Sequence, residues 1–343
     1  MKAIAKTRAD AGLDLIEVNE PELRPGHVKL RVLAGSVCGT DRHIDVWDAW
    51  AASRIRPPRI IGHEFCGEII EVADDVKDRF VGQIVASESH IVDPNSDWVK
   101  RGEGHIDPDT VILGVDVDGG FAPYAVIPAQ NARPIPEGYP IELACMMDAL
   151  GNGVHTVMDG PVAGQTVLIT GLGPIGLFAI AICKAMGAAQ IVATEVSEYR
   201  IALGEKLGAD HIINPMSDDA YEMCQRLAPG GFDATLEMSG HPGSLDLAIE
   251  ATRQGGRVSL LGLFPDRLRF MDMNRVVMKG MRLQGIAGRR LWDTWDQMHD
   301  LIVNKGLDIE PIKTHVMPFT EYQEAFATLA SGHAGKIVLR FDS

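Results

Sequence analysis

A glycine-rich turn between an apolar strand and an apolar helix constrains this chain more than any other feature. The turn has the pattern G-x-G-x-x-G over residues 171–176. The short apolar segment 166–170 before it predicts a strand, and the apolar segment 177–186 after it predicts a helix. The next predicted strand ends at Glu195, 19 residues after the last glycine of the turn. This order is typical of a βαβ unit that binds a dinucleotide.

Each glycine of the turn has a separate physical reason to be glycine. Gly171 permits the tight turn, Gly173 lets the backbone approach a pyrophosphate, and Gly176 lets the helix pack closely on the strand. The helix N-terminus then offers unpaired N–H groups and the positive end of its dipole to the phosphates. The alternative is a glycine-rich turn in a parallel sheet that binds nothing, and the acidic residue at the expected spacing argues against it.

Two residues near the end of the second strand bear on the choice of cofactor. Glu195 would accept hydrogen bonds from the ribose hydroxyls of the adenosine and would repel a 2′-phosphate, which favours NAD over NADP. Arg200 favours NADP instead, because an arginine just after this position can bind a 2′-phosphate. The sequence therefore favours NAD and leaves NADP open.

The rest of the chain divides into two kinds of segment. Strand and helix alternate over 151–291, which predicts a Rossmann domain with a doubly wound parallel sheet. Residues 1–150 are rich in predicted strands and punctuated by glycine and proline, which predicts a β-rich, barrel-like domain. Helices predicted at 291–305 and 322–330 and a strand at 336–341 follow, so we expect 292–343 to complete this β-rich domain.

Charge and cysteine content exclude several classes of protein. The formal net charge of −15 argues against nucleic acid as a partner, because phosphate binding needs a basic surface. No apolar segment is long enough to predict a signal peptide or a membrane span. The five cysteines are far apart and odd in number, which indicates reduced thiols and a cytoplasmic protein rather than a disulfide framework.

Three residue types that zinc prefers occur in two motifs of the N-terminal part. Cys38 follows a predicted strand in Cys-Gly-Thr-Asp-Arg-His, and His63 and Glu64 stand 25 residues later in Gly-His-Glu. A thiolate, an imidazole and a carboxylate would leave one position of a tetrahedral zinc open, as a catalytic site requires. Alone, Cys38 also fits a small buried side chain, and His63 a hydrogen-bonded loop histidine. Together with a dinucleotide-binding unit they favour zinc.

These motifs together resemble one enzyme family. Cys-Gly-Thr-Asp-x-His, Gly-His-Glu, Gly-Asn-x-Val-His-Thr at 151–156 and Gly-x-Gly-Pro-Ile-Gly recur in the zinc-dependent medium-chain alcohol dehydrogenases. Trp-Asp-x-Trp at 47–50 and Gly-Arg-Arg-Leu-Trp at 288–292 resemble the L-threonine 3-dehydrogenases within that family. The resemblance covers essentially the whole chain. It implies an α/β fold, with a Rossmann doubly wound parallel sheet and a β-rich, GroES-like catalytic domain.

The resemblance also implies the roles of single residues. Cys38, His63 and Glu64 would hold one catalytic zinc, and Asp148 would be a carboxylate that either ligates the metal or supports the proton relay. Cofactor-binding residues carried over by the resemblance are Ile175, Glu195, Arg200, Gly262, Leu263, Phe264, Ile286 and Ala287.

Three further residues would act on the substrate side. Thr40 and His43 would form the proton relay. His90 would discriminate between substrates, because threonine dehydrogenases keep a histidine there. Its alternative role is a structural polar contact at the end of a strand.

A second zinc site of the family is missing from this chain. Many members carry a structural zinc in a lobe with four cysteines, and those positions are filled here by Asp93, Ser96, Val99 and Asp107. Since structural zinc sites are overwhelmingly built from cysteine and histidine, we expect no structural zinc.

The expected reaction is the reversible oxidation of a secondary alcohol by NAD. The leading substrate is L-threonine, which would give 2-amino-3-ketobutyrate. The alternative is a polyol, a sugar acid or another hydroxy compound, since polyol dehydrogenases of the superfamily can also lack the structural zinc. A zincless quinone reductase or a non-catalytic nucleotide-binding protein fits less well with the zinc-binding residue types. The resemblance implies a small-molecule alcohol substrate and a homotetramer.

Overall fold

The computed structural model describes residues 1–264 and 272–341. The strands of this part of the chain are β1 (Lys2–Lys6), β2 (Asp14–Glu17), β3 (His27–Val37), β4 (Arg59–Ile60), β5 (Phe65–Val72), β6 (Ile84–Ser87), β7 (His90–Ile91), β8 (Val111–Ile112), β9 (Tyr124–Pro128), β10 (Ala132–Pro134), β11 (Thr166–Thr170), β12 (Gln190–Thr194), β13 (His211–Ile213), β14 (Phe232–Glu237), β15 (Thr252–Leu260), β16 (Arg282–Gly285), β17 (Lys313–Pro318) and β18 (Lys336–Arg340). The helices are α1 (Gly39–Val46), α2 (Ala49–Arg54), α3 (Asp97–Lys100), α4 (Ile141–Ala144), α5 (Met147–Val157), α6 (Pro174–Ala185), α7 (Glu198–Leu207), α8 (Ala220–Leu227), α9 (Pro242–Ala251), α10 (Met273–Met278), α11 (Asp293–Asn304) and α12 (Tyr322–Ser331).

The chain forms two compact units. Unit 1 comprises Met1–Ala149 and Lys313–Ser343, and unit 2 comprises Leu150–Ile312. Helix α11 therefore lies in unit 2, whereas the predicted boundary at 291 would assign it to the β-rich domain. The reason is packing, because a Cβ atom at Gly151 would lie 3.5 Å from Met298 Cε on α11.

Unit 1 is built around one large sheet and two small ones. The large sheet has the order β10-β6-β5-β3-β18-β17, and β9 also pairs with β3. Strand β18 pairs antiparallel with the second half of β3, so the C-terminal end of the chain completes the N-terminal sheet. The small sheets are β2-β1-β4 and β7-β8. Their apolar faces enclose a core that includes Leu30, Phe65 and Phe121.

Unit 2 contains a six-stranded parallel sheet with the order β13-β12-β11-β14-β15-β16. In chain order this is 3-2-1-4-5-6, the arrangement of a doubly wound dinucleotide-binding domain. The predicted α/β fold, with a Rossmann sheet in one unit and a β-rich second unit, is confirmed.

The switch point of this sheet lies where β11 and β14 are neighbours. Helix α6 follows β11 directly, with Gly173 as its N-cap and Pro174 in its first turn. Proline suits this position because the first N–H groups of a helix have no partner within it. The ligand side of the sheet is therefore the end where the glycine-rich turn lies.

Among the described residues, no helix combines the length and the apolar character needed to cross a bilayer.

Candidate metal centre and dinucleotide site

Cys38 stands at the junction between a strand and a helix of unit 1. It follows β3 and is the N-cap of α1, and its backbone N–H donates a hydrogen bond to Asp41 Oδ2 at 3.0 Å. This contact ties the start of the helix to its own first turn. The thiol is therefore presented on a rigid element.

His63 is presented by a turn that only glycine allows. Gly62 has φ +87°, and a Cβ atom there would lie 2.1 Å from Phe121. The Ser87 hydroxyl at the end of β6 donates to the His63 carbonyl at 2.9 Å. The histidine backbone is therefore fixed from a neighbouring strand as well as from its own turn.

The donor atoms of unit 1 form two overlapping groups. Cys38, Asp41 and His63 make one group, and His63, Glu64 and Asp148 make the other, with the donor atoms of each group within 4.8 Å of one another. His63 is common to both. The sequence placed Cys38 and Glu64 in one ligand set, whereas the structure puts them in different groups that share the histidine.

The geometry of this centre fits a zinc ion. Cys38 Sγ lies 3.4 Å from His63 Nε2, close to the separation of roughly 3.5 Å that a tetrahedral Zn²⁺ imposes on a sulfur and a nitrogen ligand. Burial, together with the Asp41 and Glu64 carboxylates, raises the pKa of the Cys38 thiol well above its usual value. A bound cation would reverse this effect and stabilise the thiolate.

Glu64 is held by a buried network that the sequence did not predict. Its Oε2 accepts hydrogen bonds from the Ser36 hydroxyl and the Lys336 ammonium, and Lys336 also reaches the Val37 carbonyl at 3.2 Å. Burial raises the pKa of the Glu64 carboxyl, an effect that Lys336 opposes. The lysine comes from β18, which brings a positive charge from the far end of the chain to the metal centre.

The residues proposed for proton transfer and substrate contact lie on three elements. Thr40 and His43 are three residues apart on α1, so they occupy the same side of that helix. Asp148 is buried in the first turn of α5 and belongs to the group with His63. His90 begins β7, and its Nδ1 lies 2.9 Å from Oε1 of the fully buried Glu88.

In unit 2 a cavity of about 790 Å³ opens beside the glycine-rich turn. Gly171, Gly173, Glu195 and Arg200 line it, so the structure brings these four predicted residues together. The remaining wall is largely apolar and includes Pro215, Met216, Tyr221, Met238 and Leu247. The volume is ordinary for a site that binds a cofactor.

Glu195 makes contacts that the sequence did not predict. Its Oε2 accepts a hydrogen bond from the Leu172 N–H at 2.7 Å, and its Oε1 accepts from the Val196 and Ser197 N–H groups at 2.8 and 3.0 Å. The carboxylate thus connects the glycine-rich turn to the loop after β12. A carboxylate has about four acceptor positions, so one remains for a ligand hydroxyl.

Arg200 faces the same cavity with an unsatisfied group. Its Nε is buried and has no hydrogen-bond partner among the described residues. A buried donor of this kind gains from a ligand acceptor, because leaving it unpaired is unfavourable.

The other predicted cofactor residues lie where β15 and β16 end. Gly262 packs against the loop after β14, where a Cβ atom would lie 2.1 Å from the Gly240 nitrogen. Leu263 is 93% exposed, whereas Phe264 packs on the apolar cluster of α9 and α10. Ile286 is buried and Ala287 is exposed. Of the turn residues, Gly176 is buried in α6 and Ile175 is half-buried beside it.

Comparison with known proteins identifies the family. A family model for a zinc-binding dehydrogenase matches residues 174–304, and one for an alcohol dehydrogenase GroES-like domain matches residues 24–137. An L-threonine 3-dehydrogenase of Pyrococcus furiosus is 45% identical over 340 residues, which cover 98% of both chains. The chain belongs to the zinc-dependent medium-chain alcohol dehydrogenases. It is therefore an oxidoreductase that acts on CH–OH groups, and the predicted resemblance is confirmed.

Solved structures of other alcohol dehydrogenases have the same fold. Galactitol-1-phosphate dehydrogenase from Escherichia coli superposes with a TM-score of 0.90 at 25% identity, over 99% of this chain and all of the other. An alcohol dehydrogenase from E. coli CFT073, solved in complex with NADH, gives a TM-score of 0.89 at 25% identity and covers 99% of each chain.

The lobe of this alcohol dehydrogenase that lacks cysteines is closed by hydrogen bonds. The Ser96 hydroxyl donates to Asp107 Oδ2, and the Asp109 N–H donates to Asp107 Oδ1 at 2.9 Å. The Asn95 N–H donates to Asp93 Oδ1 at 2.8 Å, which closes a turn at the start of the lobe. Trp98 is only half-buried, with the Arg101 guanidinium 4.7 Å above its ring.

Sequence reasoning missed the residues that act through a partner. No role follows from the sequence for Asp41, Asp48 or Lys336, although the first two stand in the motifs at 38–43 and 47–50. Asp41 stands three residues after Cys38 at the N3 position of a helix, and Lys336 precedes the apolar run Ile-Val-Leu of β18.

Proposed function

We propose that this alcohol dehydrogenase oxidises the secondary hydroxyl of L-threonine to give 2-amino-3-ketobutyrate, with NAD as the hydride acceptor. The observation that carries the proposal is the similarity, over 98% of the chain, to a relative named L-threonine 3-dehydrogenase. The atoms and electrons balance, because the substrate carbon loses a hydride to NAD and its hydroxyl loses a proton.

One catalytic zinc would be held by Cys38, His63 and Glu64, with Asp148 as a further carboxylate beside the histidine. The spacing of the donor atoms supports this assignment, with Cys38 Sγ 3.4 Å from His63 Nε2. When bound, zinc supplies a Lewis acid for the hydroxyl oxygen, and NAD supplies the acceptor of the hydride. Lys336 would limit the negative charge that Glu64 brings to the centre.

The proton would leave through α1. Thr40 would accept the proton of the substrate hydroxyl and pass its own to His43, since both side chains lie on one side of the helix. Histidine suits the end of this path because its ordinary pKa lies near neutral pH. The exposure of the His43 side chain, 58%, allows release of the proton to solvent.

His90 would contact the substrate and separate threonine from other alcohols. Two features support a fixed ring: Glu88 Oε1 accepts a hydrogen bond from the His90 backbone N–H at 2.8 Å, and the same oxygen contacts His90 Nδ1. Asn131 Nδ2 also donates to the carbonyls of Glu88 and His90, at 2.8 Å each. Residues 87–90 are also connected to the candidate metal centre, because the Ser87 hydroxyl donates a hydrogen bond to the His63 carbonyl.

NAD would bind in the unit 2 cavity, with its pyrophosphate at the N-terminus of α6 and its adenosine ribose on the remaining acceptor position of Glu195.

A second candidate is the oxidation of a polyol on the same scaffold. The similarity to galactitol-1-phosphate dehydrogenase and the lobe without cysteines favour it. A panel of L-threonine, sorbitol, xylitol and butane-2,3-diol, each with NAD and with NADP, distinguishes the two. We expect the highest kcat/KM with L-threonine and NAD. Equal or better turnover of a polyol would remove threonine as the substrate.

A further inference from the structure

We infer that Asp48 is a positioning residue that sets the orientation and the tautomer of His43. The inference rests on the proton relay proposed above, and it adds a residue to it. His43 Nδ1 lies 2.6 Å from Asp48 Oδ2, which is the distance of a short hydrogen bond.

Asp48 is itself held in place by the backbone. Asp48 is the N-cap of α2, and its Oδ1 accepts a hydrogen bond from the Ala51 N–H at 2.9 Å. One carboxylate oxygen therefore caps the helix, and the other contacts His43. The Asp48 N–H donates to the His43 carbonyl at 3.4 Å. The carboxylate therefore connects the end of α1 to the start of α2 with its geometry fixed at both ends.

The turn that places Asp48 over α1 is a strained one. Trp47 has φ +55°, the left-handed region that residues with a side chain seldom adopt. Its ring packs against the core of unit 1, and the buried Lys6 ammonium lies 5.0 Å from the ring centroid. Lys6 also donates to the carbonyls of Gly12 and Asp45, at 2.8 and 3.3 Å. These contacts compensate for the backbone strain, and they hold the turn in the shape in which Asp48 reaches His43.

The contact dictates which nitrogen of His43 carries the proton. A carboxylate only accepts hydrogen bonds, so the neutral ring must carry its hydrogen on Nδ1, where it donates to Asp48. Nε2 then has a lone pair and can accept a proton from the relay. The Trp50 ring, edge-on to the imidazole with 6.1 Å between centroids, adds a second restraint on the ring. The Ala51 N–H and then His43 lower the pKa of the Asp48 carboxyl, which keeps it ionised.

The test compares two substitutions that both preserve the N-cap. Asp48→Asn keeps an oxygen for the Ala51 N–H but presents an amide N–H₂ to Nδ1 of His43. The neutral ring would then carry its hydrogen on Nε2, so Nε2 could no longer accept a proton from the relay. Asp48→Ser keeps a capping oxygen and removes the contact with the ring. Asp308→Asn in unit 2, where the carboxylate accepts the Glu310 N–H at 2.9 Å, is the matched control. All variants are studied as the zinc-loaded enzyme, with L-threonine and NAD.

We expect Asp48→Asn to lower kcat by about tenfold or more, since general base catalysis contributes about 10²–10⁴-fold. The KM for threonine should change less than about threefold, because the change affects proton transfer rather than binding. Asp48→Ser should have a smaller effect, and Asp308→Asn none. In a His43→Ala background, Asp48→Asn should have no further effect, because the two residues act as one unit.

A second measurement does not depend on activity. Long-range ¹H–¹⁵N correlation spectra of histidine-labelled enzyme, recorded at about pH 8.5 where the ordinary imidazole is neutral, report the tautomer of His43. The wild-type ring should carry its hydrogen on Nδ1, and the Asp48→Asn ring on Nε2. A ring that keeps Nδ1–H in Asp48→Asn, with an unchanged kcat, would overturn the role of Asp48 and leave the relay intact. An unchanged rate in His43→Ala would instead overturn the relay itself.

Discussion

The Lys336 ammonium is paired with the Glu64 carboxylate in the interior of unit 1, where the two side chains are 1% and 3% exposed. A buried charge is tolerated only when a partner and further hydrogen bonds replace the water that it loses. Ser36 supplies such a bond to Glu64, and the Val37 carbonyl supplies one to Lys336. The pair connects β18 to the candidate metal centre, so we expect it to affect both folding and chemistry.

The first prediction breaks this pair. Lys336→Met should destabilise the metal-free enzyme by about 3–5 kcal/mol, because it leaves Glu64 as an unpaired buried carboxylate. Urea unfolding of chelator-treated protein measures the change. The double variant Lys336→Met/Glu64→Gln removes both charges and should recover most of the lost stability. If the single substitution cost no more than the double one, the two side chains would not be coupled.

The second prediction concerns the number of zinc ions. Enzyme purified without chelator should contain about one zinc per chain, since one group of donors in the described residues includes a thiol and the lobe 93–107 includes none. Cys38→Ser and His63→Ala should each reduce the zinc content below about 0.2 per chain, as measured by inductively coupled plasma mass spectrometry. Asp107→Ala in the lobe is the control and should leave the content unchanged. A loss of zinc in this control would reveal a second site.

The sequence indicates some residues of the candidate metal centre and not others. Cys38, His63 and Glu64 stand in short motifs whose residue types and spacing have a direct chemical meaning, so the sequence could name them as candidate ligands. Lys336 is 272 residues away from Glu64, and no local pattern indicates which strand will pair with β3. Long-range pairing of this kind is decided by the packed fold rather than by neighbours in the chain.

The secondary structure shows the same division between local and tertiary information. The strand predicted at 166–170 has the observed bounds, because its apolar run and the glycine-rich turn that follows define it locally. Helix α11 was also predicted, but its place in unit 2, with Met298 beside Gly151, follows from tertiary packing that no local pattern indicates. Likewise, the sequence suggested that Glu195 faces a ribose, but its three backbone contacts require the folded loop.

The third prediction concerns the choice of cofactor. Glu195→Gln should lower kcat/KM for NAD by about tenfold or more, because a neutral amide replaces a carboxylate that accepts several hydrogen bonds, and each bond to a charged group contributes about 1.5–3 kcal/mol. The preference for NAD over NADP should fall at the same time, since the repulsion of a 2′-phosphate is removed while Arg200 remains. Steady-state kinetics with both cofactors at fixed L-threonine measure the ratio.

Glu198→Gln is the matched control for this experiment, because Glu198 begins α7 and does not line the cavity. Glu198→Gln should leave kcat/KM for NAD and kcat/KM for NADP unchanged. If Glu195→Gln preserved the NAD preference in full, discrimination would have to come from another part of the cavity.

The fourth prediction concerns the lobe that lacks cysteines. The Ser96 hydroxyl accepts a hydrogen bond from the Trp98 N–H at 3.1 Å and donates one to Asp107, so one side chain caps α3 and closes the lobe. Ser96→Ala should cost about 1 kcal/mol locally, as the loss of an N-cap does. Hydrogen exchange at residues 93–110 should become about fivefold faster at neutral pH, with kcat unchanged.

The same hydrogen bonds give the lobe a defined response to acid. Ser96 first, and then the Asp109 N–H, lower the pKa of the Asp107 carboxyl, so they stabilise its ionised form. The folded-state pKa therefore lies below that of the unfolded chain, which is about 3.9 for aspartate. The stabilisation is complete above about pH 4 and is lost as the pH falls through the lower, folded-state pKa. Carboxyl ¹³C titration should place the Asp107 pKa below 3.9 in the wild type and closer to 3.9 in Ser96→Ala. Identical titration curves in the two proteins would show that Ser96 does not hold this carboxylate in solution.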